Sequence, residues 1–145
     1  MAEQQPAGPS DDEQVRAIGE AAEALWDATR RFQDLLDDLE GERLSRWAAY
    51  TAFREVAAVF RFALERLRME EPAPALTEAM QAYSAGARAG LEAAADLAEA
   101  MQGGGLESVE LGIQRLTLAS QQFVRGRYLL QRHLDEAAGG ESGET

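Results

Sequence analysis

The chain has 145 residues, which is enough for one domain that buries a core without covalent staples. It contains no cysteine, which excludes disulfides and thiolate metal ligands. Its net charge of −12 repels a nucleic-acid backbone or an anionic membrane surface, so we expect neither as a partner.

The sequence shows no export signal and no membrane segment. Residues 1–9 carry no basic residue and no apolar core, unlike a secretory signal. No apolar run approaches the roughly 18 residues that a membrane-spanning helix needs. We therefore expect a cytoplasmic protein with no membrane insertion.

The first predicted helix covers residues 11–40. Its apolar residues recur at alternating steps of three and four, the coiled-coil-like pattern of a helix that buries one face. We call this face the seam, and in helix 1 it comprises Val15, Ile18, Ala22, Leu25, Thr29, Phe32, Leu36 and Leu39. Ser10 and Glu13 match a capping box at its start, and the polar residues 1–9 are predicted to be disordered.

Gly41 is predicted to end this helix, because glycine readily adopts the left-handed conformation that follows many helices. The alternative is that residues 36–46 continue as one long helix. Such a helix would bury Arg43 and Arg46 on the seam. A turn instead brings these arginines back to the acidic residues that crowd the negative end of the helix 1 dipole.

Two further helices are predicted over residues 43–69 and 74–102, separated by a proline-rich break. The seam of helix 2 is Ala49, Phe53, Val56, Phe60, Ala63 and Leu67, and that of helix 3 is Leu76, Met80, Tyr83, Ala87, Gly90, Ala94, Leu97 and Met101. Pro74 suits the first turn of helix 3, and the three glycines 103–105 end it.

The fourth helix is predicted over residues 106–137, followed by a disordered tail, 138–145. Its seam is Val109, Ile113, Leu116, Ser120, Phe123, Arg127, Leu130 and Leu134. Arg127 therefore falls on the seam, where an unpaired charge is costly. We expect its guanidinium to extend to solvent or to pair with Glu20 or Glu23 of helix 1.

Four helices of similar length with short connections predict an all-α fold, a four-helix antiparallel up-down-up-down bundle with disordered tails. Residues 10–137 then form one domain. The predicted helices carry net charges of −7, +4, −3 and 0 in chain order, so neighbouring helices do not repel one another. Because exposed ion pairs contribute little energy, this pattern favours a register rather than stability.

Helices 2 and 4 carry apolar residues outside their seams, and a bundle needs one buried face per helix. A second apolar stripe predicts a second contact, with a protein partner or with another copy in a homodimer. The residues of this predicted interface are Leu44, Trp47, Phe62, Leu111, Leu118 and Leu129. The alternative is that these are scattered surface residues or part of a wide seam.

Helix 3 has a face of small residues that includes Gly86 and Gly90. Small residues let two helix backbones approach closely, and we expect this face to pack against Gly112, Ala119 and Gly126 of helix 4. The alternative function is a small apolar ligand bound in a pocket beside these glycines.

The remaining polar residues form no recognisable catalytic or metal-binding site. His133 is the single histidine, and the acids Asp135 and Glu136 that follow it disfavour histidine phosphotransfer. One histidine is also too few for a carboxylate-bridged di-iron bundle. We therefore predict no catalytic residue, no metal and no cofactor, and a non-catalytic role as a protein-protein interaction or scaffold module.

Overall fold

The computed structural model describes residues 11–68 and 71–143, and these form an antiparallel four-helix bundle. The helices are α1 (Asp11–Glu40), α2 (Arg46–Arg66), α3 (Thr77–Met101) and α4 (Leu106–Gly143), with a short 3-10 helix at Pro74–Leu76. The predicted all-α bundle is confirmed. Ser10 and the predicted N-terminal tail lie outside the described residues.

The core consists of the inner faces of all four helices. α3 packs most extensively against α4 and α2, and α1 packs mainly against α2. The seams predicted for α1, α2 and α3 are buried or half-buried along their whole length. The largest fully buried side chains include Phe32, Phe53, Phe60, Tyr83 and Phe123.

The first connection is a turn, as predicted, but its left-handed residue is Glu42 (φ 56°) and not Gly41. The amides of Glu42 and Arg43 donate to the carbonyls of Leu39 and Asp38, which is a Schellman motif. The Arg43 guanidinium folds back onto the Asp38 carboxylate (3.2 Å). A Cβ on Gly41 would collide with that guanidinium, so the glycine provides space for it.

α2 is shorter than predicted at both ends. It begins at Arg46 because the Ser45 hydroxyl accepts a hydrogen bond from the amide of Ala48 (3.1 Å), which caps the first turn. It ends at Arg66, and the buried Gln14 of α1 then holds the next connection. The Gln14 side chain accepts from the amide of Ala73 (2.8 Å) and donates to the carbonyl of Glu71 (3.3 Å).

Of the other two helix ends, that of α3 confirms the prediction and that of α4 corrects it. α3 ends as predicted: Gly103 adopts a positive φ of 109°, and the amide of Gly104 donates to the carbonyl of Glu99. α4 continues to Gly143, six residues beyond its predicted end at 137. Alanines 137 and 138 favour helix, and pairs one turn apart, such as Arg132 with Glu136, support the preceding turn.

The seam of α4 is rotated relative to the prediction. Ile113, Leu134 and Arg127 are exposed, whereas Gly112 and Gly126 are buried against α3. The apolar periodicity predicted that the larger side chains face inward, whereas the small residues of helix 3 predicted that Gly112 and Gly126 pack against it. The structure turns these glycines inward, because a glycine lets the two backbones approach more closely than any side chain does.

Candidate functional site

A mainly apolar, open concavity lies between α2 and α3, and we call it the groove. It encloses about 750 Å³ and forms because alanines occupy the facing positions of both helices. Its apolar lining includes Ala57, Ala58, Leu91, Ala94, Ala95 and Ala98. Short side chains leave space beside the core that longer ones would fill, so this side of the bundle offers a hollow.

Trp47 stands at one end of this groove, in the first turn of α2, and is 74% exposed. Its indole stacks on the ring of Tyr50, with centroids 5.7 Å apart. The Arg54 guanidinium lies 5.6 Å from the Tyr50 ring centroid and donates to its hydroxyl (3.4 Å). These contacts hold Trp47, Tyr50 and Arg54 in a row along α2, with the largest apolar surface at the end.

The α2 side of the groove carries two arginines and the acid Glu55, whereas the charged residue that lines it from α3 is an acid. Arg54 and Arg61 lie seven residues apart on the same face of α2, and Glu99 lies on α3. Among the described residues, none of these three groups has an oppositely charged group within 4 Å. They are therefore available for ion pairs with a bound partner.

The other two predicted interface residues near α2 are not beside Trp47. Phe62 is exposed but lies on the side of α2 that faces α1, where the Arg66 guanidinium covers its ring at 5.9 Å. Arg66 also pairs with Glu20 of α1 (2.6 Å). Leu44 precedes the helix and is half-buried against the core. Of the three, Trp47 alone lines the groove.

The predicted interface residues of α4 form a separate surface. α2 and α4 lie diagonally across the bundle and meet in the core, where the ring centroids of Phe60 and Phe123 are 6.5 Å apart. Leu111 and Leu118 are exposed, whereas Leu129 is half-buried in a shallow hollow beside Pro74. The structure therefore does not bring the six predicted residues together into one patch.

A further set of exposed apolar residues on α4 escaped the sequence analysis. It comprises Leu106, Ile113, Val124 and Tyr128, which lie along one side of the helix. The incorrect register of the predicted seam concealed them, because it assigned Ile113 to the core. A seam centred on the glycines would have placed these four residues outside the core.

The small-residue face of α3 packs against α4 at Gly86, as predicted, but against α2 at Gly90. A Cβ on Gly86 would overlap the Phe123 ring and approach the carbonyl of Ala119 in α4. A Cβ on Gly90 would meet the Phe60 ring at 2.5 Å. Aromatic rings of the protein itself thus occupy the space beside these glycines, where a ligand pocket was the alternative.

Arg127 is exposed, as expected, but neither predicted ion pair forms: Glu20 pairs with Arg66, and Glu23 is more than 4 Å away. Arg127 lines an open cleft of about 520 Å³ between α1 and α4. The buried Tyr83 also lines this cleft. Burial raises the pKa of the Tyr83 hydroxyl, and the nearby Arg127 charge lowers it by a smaller amount.

His133 is half-buried in the same hollow as Leu129, between Glu78 and Glu136. These acids surround the histidine with negative charge, which disfavours a phosphoryl group there. Within residues 11–68 and 71–143, no three carboxylate or imidazole groups come close enough to hold a metal ion. No helix in that part combines the length and the hydropathy of a membrane span.

The fold and these surfaces define an antiparallel four-helix bundle with an open alanine-lined groove. Comparison with known proteins adds no relative: no protein-family model, no curated protein and no solved structure matches the chain.

Proposed function

We propose that the protein is a non-catalytic interaction module that forms a homodimer through the groove between α2 and α3. The observation that carries the proposal is Trp47, a large aromatic side chain that is 74% exposed beside an alanine-lined hollow. Tryptophan is enriched at the energetic centres of protein interfaces, where it fills a pocket on the partner.

The charges beside the groove support a second copy as the partner. A two-fold axis parallel to the groove places α2 of each copy over α3 of the other. Because this axis keeps the level along the helices, Arg54 of one copy then lies near Glu99 of its partner, and the same pair forms a second time. At the pair Arg54 and Glu99, which line opposite sides of the groove, the surface is thus complementary to itself.

The alanines support the same arrangement sterically. In this dimer the indole of Trp47 lies over the C-terminal end of the partner's α3, beyond Ala98. A bulky side chain opposite an alanine-lined surface is the complementarity that protein interfaces require. Phe62 and the exposed leucines of α4 lie outside this interface.

The first test is the oligomeric state, measured by light scattering after size-exclusion chromatography. We expect a dimer for the wild type and a monomer for Trp47→Glu, because the substitution replaces the largest apolar side chain of the interface with a charge. Phe62→Glu is the matched control, since it changes an exposed aromatic on the same helix, and it should remain dimeric. Circular dichroism verifies that both variants keep the helical fold.

A charge exchange tests the orientation of the two copies. Arg54→Glu should weaken the dimer about tenfold, because it opposes Glu99 of the partner with a like charge. Adding Glu99→Arg restores an attractive pair and should recover most of that loss. A monomeric wild type, or a dimer that is disrupted by Leu118→Glu and not by Trp47→Glu, would overturn the proposal.

A further inference from the structure

We propose that the cleft between α1 and α4 binds a small zwitterion with an apolar body, of the kind of a free aromatic amino acid. This site is separate from the α2–α3 groove and does not depend on the proposed dimer. Its lining comprises Ala22, Glu23, Trp26, Asp27, Arg30, Tyr83 and Arg127, and the cleft is open to solvent with a volume of about 520 Å³.

The floor of the cleft offers a hydrogen-bond donor. Tyr83 is 1% exposed, and its hydroxyl has no hydrogen-bond partner among the described residues. Among the described residues, every fully buried side-chain oxygen has a hydrogen-bond partner. The Tyr83 hydroxyl has none and is therefore not fully buried, so it opens into the cleft that Tyr83 lines. The phenol is protonated at neutral pH, since its ordinary pKa is 10.0 and burial raises it further, and the hydroxyl can donate to an anionic ligand atom.

The tyrosine is held rigidly in this position. A Cβ on Gly126 would lie 2.9 Å from its ring, so α4 presses directly against it. The Tyr83 ring stacks on Phe123 with centroids 6.4 Å apart, and Trp26 lies 6.1 Å from the same phenylalanine. The half-buried Trp26 thus forms an aromatic wall of the cleft, against which an apolar ligand body can pack.

The charges of the cleft indicate which polar groups the ligand carries. Asp27 and Arg30 pair with each other (3.9 Å). Arg127 and Glu23 have no oppositely charged group within 4 Å among the described residues. The Arg127 guanidinium, beside the Tyr83 hydroxyl, suits a carboxylate group of the ligand. The Glu23 carboxylate suits an ammonium group of the ligand. A neutral molecule leaves both charges unused.

The test uses L-phenylalanine as the probe and the fluorescence of Trp26 as the readout, in a Trp47→Phe background that leaves Trp26 as the single tryptophan. We expect saturable binding with a dissociation constant on the order of 1 mM, as a ligand of this size allows. Phenylpropionate, which lacks the ammonium group, and phenethylamine, which lacks the carboxylate, should each bind about tenfold more weakly.

Variants assign the binding to the cleft. Arg127→Gln and Glu23→Gln should each weaken L-phenylalanine about tenfold, while Arg125→Gln, an exposed arginine of the same helix outside the cleft, should not. Tyr83→Phe removes the hydroxyl and keeps the ring, and should weaken binding without unfolding the bundle. Absence of binding at 20-fold the expected constant, equal binding of phenylpropionate, or no effect of Arg127→Gln would overturn the proposal.

Discussion

The two sides of α4 approach their neighbours to different extents. Toward α3, Gly112 and Gly126 lie directly against Leu97 and Tyr83, and Arg115 bridges to Asp96 (2.5 Å). Toward α1 the contact is sparse, and an open cleft remains beside Trp26. The size of the facing residues sets this difference, because glycine permits the close approach that tryptophan and arginine prevent.

The same principle separates the closed α3–α4 interface from the groove between α2 and α3. Small residues at the contact line bring two helices together, whereas small residues beside the contact line leave a hollow. Gly86 illustrates the first case and Ala95 the second. The position of a small residue on the helix therefore decides whether it closes a surface or opens one.

The largest effect on stability should come from Phe123 of α4, whose ring contacts both neighbouring helices, α1 and α3. It contacts the rings of Trp26, Phe60 and Tyr83, and we expect Phe123→Ala to lower the free energy of unfolding by about 3–5 kcal/mol. Leu118→Ala on the exposed face of α4 should change it by less than about 0.5 kcal/mol. Urea unfolding followed by circular dichroism measures both, and similar losses would contradict this account of the core.

Glycine substitutions separate close packing from intrinsic helix propensity. Alanine at Gly86 would overlap the Phe123 ring, and we expect it to lower the free energy of unfolding by about 1–3 kcal/mol. Gly19 of α1 has no neighbour within 4 Å of an added Cβ, so Gly19→Ala should raise stability by about 0.5–1 kcal/mol. The same urea experiment measures both variants, and a stabilised Gly86→Ala would show that α3 and α4 are not held as closely as described.

A smaller effect should appear at high pH, through Tyr83. Burial raises its pKa above the ordinary value of 10.0, so the folded state holds this proton more tightly than the unfolded state does. The corresponding contribution to stability is complete below pH 10.0 and declines as the pH rises through the folded pKa. In a titration of tyrosine absorbance, the difference between wild type and Tyr83→Phe should show a midpoint above 10.0. A midpoint below 10.0 would contradict the burial of this hydroxyl.

Periodicity was sufficient to predict the number and type of the helices and the inner faces of α1, α2 and α3. It failed on α4, where it placed Ile113 and Leu134 inward, whereas the small residues of helix 3 had correctly predicted that Gly112 and Gly126 face that helix. It also placed Leu44 in α2, because the cap at Ser45 becomes visible only once the turn before it is known. Trp47 was recognisable as an apolar residue outside the seam.

The groove beside Trp47 could not be predicted, since it depends on the distance between α2 and α3. The cleft depends likewise on how α1 and α4 diverge. Both surfaces combine residues that are far apart in the sequence, such as Arg54 with Glu99 and Glu23 with Arg127. A single sequence shows which residues are left outside the core but not which of them meet.

The proposed dimer is tested most directly by cross-linking, which the absence of cysteine from the chain makes specific. Arg54→Cys and Glu99→Cys are prepared as separate single variants, mixed, and treated with a short bismaleimide. We expect a covalent dimer that contains one copy of each variant. Little cross-linked dimer should form when Leu118→Cys replaces Glu99→Cys. Equal cross-linking in both mixtures, or none in the first, would contradict the groove as the interface.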